Sequence, residues 1–262
     1  MKQFAILTKK ETLQFIRELK IVWLPLAFIF LGITQPVVTY YLPYILEAFG
    51  GGQGIIIDSS MKDIAGNEIL ASTLESQFDQ LGVIIIVISM MGVVQSDKAN
   101  GMLGFILTRP VKVESYISSK IFSNYMFVAG SVALGYVVSY IYTNFLFTSI
   151  PFTSLIVALL FYLLWVLFVV SFTTMVSTFF NSQGVIALIS IAVLLGIRMI
   201  VGLNPLLDRL NPASMSEYAK EALVFADIDM SVVWSVLITL LLSAIVMNFA
   251  KMWIANKKYN ID

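Results

Sequence analysis

The sequence has 262 residues, 59% of them hydrophobic and only 12% charged, with a mean hydropathy of +0.90. A soluble domain carries roughly 45–50% apolar and about 25% charged residues, so most of this surface is not built to face water. Cysteine and histidine are absent, which excludes disulfides, zinc and haem ligation and imidazole acid–base chemistry, while the formal charge of zero hides a strong segregation along the chain.

The first twenty residues hold Glu11 and Glu18 and no apolar core of signal-peptide length, so no cleaved signal is expected. Phe4, Leu7, Leu13, Phe15, Ile16 and Leu19 are interleaved with lysines and acids there. That mixture predicts a helix over 1–20 lying at the membrane interface, its lysines toward lipid headgroups. A spanning helix needs roughly 20 mostly apolar residues. Six such stretches follow, at 21–46, 78–96, 121–147, 154–180, 184–203 and 231–254, with a tail at 255–262. The long apolar blocks favour helices over a barrel, whose strands would alternate polar and apolar positions. The expected fold is therefore an all-α membrane protein, with 21–254 as one six-helix domain.

Within the first span, Pro25, Pro36 and Pro43 free backbone carbonyls and bend the axis. Gln35, beside Pro36, is expected either to bond that freed backbone or to line a pathway. The 47–77 stretch, with Gly-Gly-Gly-Gln-Gly at 50–54, reads as a flexible loop. No Gly-Lys-Ser/Thr follows it, so it does not cradle a phosphate.

The segment from Asp97 to Lys120 is amphipathic rather than simply polar. Met102, Leu103, Phe105, Ile106 and Leu107 form an apolar cluster between charges that include Lys98 and Arg109. Gly101 begins a short helix in this reading, and Pro110 ends it, because the residue before proline avoids helical angles. The spacing fits a helix presented for docking to another protein and equally a surface loop with apolar anchors. Farther on, Ser171, Thr174 and Ser177 share a face of the fourth span, as Ala129 and Ala133 do in the third, a pattern typical of helix–helix packing. Arg198 is the one clear charge inside a predicted span. Near the outer end of that span, it is expected to snorkel outward toward Asp208 or to line a pathway. Asn211-Pro212 and the run to Asp229 predict a short re-entrant or surface helical segment.

Charge fixes the expected orientation. With the N-terminus inside, Lys2, Lys9, Lys10, Arg17, Lys20, Lys98, Arg109, Lys112, Lys120, Lys251, Lys257 and Lys258 are cytoplasmic, twelve of the sixteen cations. Only Lys62, Arg209 and Lys220 fall outside. The positive-inside rule places both termini in the cytoplasm.

The same loop resembles the corresponding segment of ABC-2 type transporter permeases. That family has an acid, then Gly and Leu and a leucine-rich turn, then Pro-Val and a basic residue, then Tyr and Lys entering the third span. Here those positions are Asp97, Gly101, Leu103, Leu107, Pro110, Val111, Lys112, Tyr116 and Lys120. Lys10-Glu11 followed by Arg17 is similar to the stretch that opens many such permeases, although Asp97 stands where glutamate is usual and Met102 where threonine often is. The resemblance implies the permease subunit of an ABC exporter in a bacterial plasma membrane, with 97–120 acting as a coupling helix. It also implies two copies of an ABC ATP-binding subunit and a second permease chain, identical or similar. ATP and magnesium would sit on the partner, since this chain has no phosphate loop and is not expected to be catalytic.

Two other readings compete. A self-contained channel or secondary carrier calls for intramembrane carboxylates or paired broken helices. An intramembrane enzyme needs clustered catalytic groups near the bilayer. Nothing in the sequence points to nucleic acid.

Overall fold

The computed structural model describes residues 2–50, 65–107, 112–225 and 231–256, and among these the chain is mostly helix, joined by short turns, without a strand. Helix α1 (Lys2–Arg17) turns at Glu18-Leu19 into α2 (Lys20–Gly50). Next come α3 (Gly66–Ser72), a π-helical segment (Thr73–Gly82), α4 (Val83–Met90), α5 (Gln95–Ala99) and α6 (Met102–Leu107). The rest of the bundle is α7 (Val113–Leu146), α8 (Phe152–Phe179), α9 (Gln183–Met199), α10 (Pro205–Leu210), α11 (Ser214–Val224) and α12 (Ser231–Asn256).

Among the described residues, five stretches are long and apolar enough to cross a membrane: Lys20–Ile45, Gly66–Ala99, Val113–Leu146, Phe152–Phe179 and Val232–Asn256. Against the expected six, the described residues give five such helices and one shorter apolar helix, α9. With 17 residues, α9 spans about 25 Å at 1.5 Å per residue, short of a hydrocarbon core of about 30 Å.

The expected boundaries of the second and third spans need correction. The second begins at Gly66, not 78, so 66–77 is helix rather than loop. Glu68, Glu75 and Gln77 are polar residues of a kind that suits a solvent-facing stretch, but helices across the bundle supply partners for Gln77 and Glu75. Residues 51–64, which hold most of the glycine-rich stretch, lie outside the described residues. The third span begins at Val113, which moves Tyr116 and Lys120 out of the loop and into a spanning helix.

The core forms where α2, the π segment, α7 and α8 meet around Phe78. Its ring lies 5.3 Å from Phe28, 6.4 Å from Tyr136 and 6.0 Å from Tyr162. Helices α2 and α7 cross at Gly32 and Gly135. A Cβ on Gly135 would stand 2.4 Å from the Phe28 carbonyl oxygen, and one on Gly32 would stand 2.2 Å from the Gly135 oxygen. Only glycine permits that approach, the small-residue crossing characteristic of helices in lipid. The region after α9 does contain short helices as expected. Of these, α11 buries Met215, Ala219 and Leu223 against α8 and α3 and so belongs to the bundle rather than its surface.

The polar contacts sort the molecule into two ends. At one, α1, α5, α6, the start of α7, the end of α8 and the start of α9 gather, with Phe179 of α8 against Trp253 of α12. At the other lie α3, the α7–α8 connection and α11, joined by Gly66 N donating to Thr148 Oγ1 and Asn67 Nδ2 to the Leu223 carbonyl.

Candidate functional site

At the N-terminal end, one ammonium group organises three helices. Lys120 Nζ, on α7, lies 2.9 Å from Glu11 Oε1 of α1 and 2.9 Å from Asp97 Oδ2 of α5. The Tyr116 hydroxyl, one turn earlier on α7, donates to the same Asp97 oxygen at 2.7 Å. Lys10 Nζ donates to Asp97 Oδ1 at 3.2 Å from the solvent side. Lys120 is 1% exposed and Glu11 4%, so both have left water almost completely. Two carboxylates and two ammonium groups give the cluster no net charge, which is what allows it to be buried. The face of α1 that carries Glu11 also seats Phe15, stacked on Phe127 of α7 at 4.9 Å. Thus α1 is bolted to α7 and does not merely rest on a bilayer surface.

The chain between α1 and α2 is strained to allow this. Leu19 has a φ of 54°, a left-handed angle that bulky residues avoid. Next to it, burial raises the pKa of Glu18, but hydrogen bonds from Lys20 and Gln14 outweigh that and leave its carboxyl below the ordinary value.

The α5–α6 elbow is held as firmly on its other side. The chain breaks between α4 and α5, and the freed amides of Val94 and Gln95 donate to Ser177 Oγ of α8 at 3.2 and 3.1 Å. That hydroxyl donates onward to the Met91 carbonyl. Lys98 Nζ reaches the Thr178 and Phe180 carbonyls, satisfying acceptors that a helix C-terminus leaves open. Gly101, with φ of 67°, turns the chain from α5 into α6, an angle that suits glycine. Leu103 is buried in the core and Ile106 packs against it. Phe105 and Leu107 belong to α6, though their side chains lie outside the described residues, as do Arg109 and Pro110 entirely.

Of the residues singled out in the loop, Asp97, Tyr116 and Lys120 therefore meet in one cluster, with Gly101, Leu103 and Ile106 shaping the elbow beside it. The sequence signal for Glu11 and Lys10 was a lone acid among basic residues in an amphipathic helix, which does not name its partner.

At the opposite end, Arg198 Nε of α9 lies 2.7 Å from Asp79 Oδ2 in the π segment. Asp79 is 1% exposed, and Ser216 Oγ of α11 donates to the same oxygen. Arg198 Nη2 also reaches Glu217 at 3.4 Å, and Lys220 joins Glu217 to Glu75 at 3.2 and 3.1 Å. Burial lowers the pKa of Lys220, but Glu75 and Glu217 outweigh it and hold that pKa above the ordinary lysine value. This corrects the expectation for Arg198: its partners are Asp79 and Glu217, while Asp208 accepts from the Gly202 amide instead. The chain around Arg198, Glu217 and Glu75 opens into a cleft of about 590 Å³. Missed in the sequence was Asp79, an acid close to an apolar run, facing a lone arginine in another.

Gln35 bonds side chains of the second span. Its Nε2 donates to Ser72 Oγ, and its Oε1 accepts from Ser76 and Gln77. On α8, Thr174 donates to the Val170 carbonyl of its own helix and Ser171 is fully buried. Among the described residues no three Asp, Glu, His or Cys side chains gather as a metal site.

A family model described as "Protein of unknown function (DUF2705)" matches residues 55–259. The chain is 33% identical over 229 residues to a protein of Bacillus subtilis (strain 168) described as "Uncharacterized transmembrane protein YxlG", a match covering 87% of each chain. These findings overturn the assignment to the ABC-2 permeases, since neither indicates that family. The physical reason is visible in the loop. Its motif is composed largely of turn residues and apolar anchors, which an elbow between two spans uses whatever the family. The chain is a transmembrane protein, and it belongs to the DUF2705 family.

Proposed function

We propose that the chain is the membrane-spanning subunit of a transport complex, driven by a separate ATP-hydrolysing protein that docks on the α5–α6 elbow. The observation that carries this reading is the buried cluster of Glu11, Asp97, Lys120 and Lys10. A buried ion group adds little stability over apolar packing, so its value here is as a rigid joint. A push on the elbow is transmitted through Asp97 and Lys120 to α7 and α1 rather than lost in a loop.

In this reading α9 supplies a sixth crossing, its short length completed by the turn after Met199. The excess of lysine and arginine at the elbow end makes that end, with both termini, cytoplasmic in a cell membrane. Two such chains, identical or similar, form the pathway between them, with two copies of the partner holding ATP and magnesium. Export is the proposed direction. The chain itself does no covalent chemistry.

The test is co-isolation in mild detergent. The chain should bring down a soluble protein that hydrolyses ATP, and Phe105→Asp and Leu107→Asp should each lose it while remaining inserted. A second reading, a self-contained carrier, draws on the buried Asp79–Arg198 pair in a π-helical segment, since intramembrane ion pairs and π-helical turns often mark functional sites. Solute uptake by proteoliposomes that hold this chain alone, without nucleotide, would favour that reading over the first.

A further inference from the structure

A second cavity, of about 450 Å³, opens between α1 and the elbow. Its α1 wall is one helical face, Ile6, Lys9, Lys10, Leu13, Gln14 and Arg17, spaced at three and four residues so that apolar and cationic side chains alternate along it. Across from it stand the polar Ser96 and Asn100, the Asp97 carboxylate that Lys10 and Lys120 engage, and the exposed Met102.

The charges on this wall do not cancel. Lys10 and Lys120 balance Glu11 and Asp97 within the buried cluster. Lys9 and Arg17 are left without an acidic partner among the described residues, both exposed on the cavity side of α1. The cavity therefore presents two uncompensated cations beside the side-chain amides of Gln14 and Asn100. On the same face, Ile6 and Leu13 are exposed at 69% and 47%. Cationic and apolar side chains on one exposed face, beside the bundle's spanning helices, match a molecule with an anionic head and an acyl tail.

We propose that this cleft binds the phosphate of an anionic phospholipid, with Lys9 and Arg17 on the headgroup and Ile6, Leu13 and Met102 against the start of the acyl chain. The lipid would then fill the gap between α1 and the elbow, making the stiffness of that joint depend on the bilayer's composition. The site stands independently of the transport reading.

The experiment is native mass spectrometry of the full chain, released from nanodiscs containing equal phosphatidylglycerol and phosphatidylcholine. The wild-type chain should retain phosphatidylglycerol preferentially, and free glycerol 1-phosphate should not displace it. The double variant Lys9→Gln/Arg17→Gln, at two exposed positions that leave the fold intact, should weaken retention by about 30-fold, from roughly 1 kcal/mol for each basic residue near an anionic surface. A control, Lys257→Gln/Lys258→Gln in the tail, should retain lipid as the wild type does. Equal retention of both lipids, or an unchanged double variant, overturns the proposal. Displacement by glycerol 1-phosphate would make the ligand a free phosphate ester, and displacement by an acidic peptide would make the cleft a protein-docking site; either also overturns it.

Discussion

The two ends of the bundle hold their charges in opposite ways. At the elbow end, two acids and two lysines form a closed group whose central member, Lys120, has no access to water. At the other end the charges run in a graded chain, from Asp79 in the core through Arg198 to Glu217, Lys220 and Glu75 at the edge of an open cleft. The first arrangement is a joint: it fixes the positions of three helices relative to one another. The second is adaptable, since its outer members can exchange partners with water or with a solute at little cost.

That contrast breaks most sharply at Lys120. Lys120→Met leaves two buried carboxylates, Glu11 and Asp97, with only the partly exposed Lys10 between them and should cost about 3–5 kcal/mol, read as a lower unfolding temperature in detergent. The triple variant Glu11→Gln/Asp97→Asn/Lys120→Met should recover most of that loss. If the single variant is as stable as the wild type, the joint is not a joint. Arg198→Gln should cost less, about 2–3 kcal/mol, because one partner, Glu217, faces the cleft; adding Asp79→Asn should restore stability. Gly135→Val, which drives a side chain into the Phe28 carbonyl, should cost roughly 1–3 kcal/mol by forcing α2 and α7 apart. It tests whether the frame that both ends share is as tight as the crossing implies. Ser177→Ala, which leaves the Val94 and Gln95 amides without their acceptor, should cost about 1 kcal/mol and raise hydrogen exchange at those two amides. Lys220→Ala should move stability by less than about 1 kcal/mol, since its pairs are open to solvent. A larger loss there would mean that the graded end is also rigid.

The sequence was most legible where a residue's fate depends on its neighbours in the chain. Long apolar runs gave the spans, and proline and glycine marked the elbow. It was least legible where a polar residue is satisfied from another helix. The start of the second span was placed twelve residues late because Glu75 and Gln77 look solvent-bound until Lys220 and Gln35 are brought to them. Arg198 was paired with Asp208, ten residues away in sequence, when its partner is Asp79, on a different helix. Asp97, Tyr116 and Lys120 could be picked out as a group, but their convergence on Glu11 needed the packing of α1 along α7. The close crossing at Gly32 and Gly135 was missed altogether, because a glycine in a span gives no sign of what approaches it.

The central claim is that the elbow is where force enters. It is tested most directly by a photo-crosslinking residue at position 105 in native membranes, with position 188, on the exposed face of α9, as the control. The account predicts that position 105 captures a soluble protein that hydrolyses ATP while position 188 does not. Capture of lipid alone at both positions would contradict it.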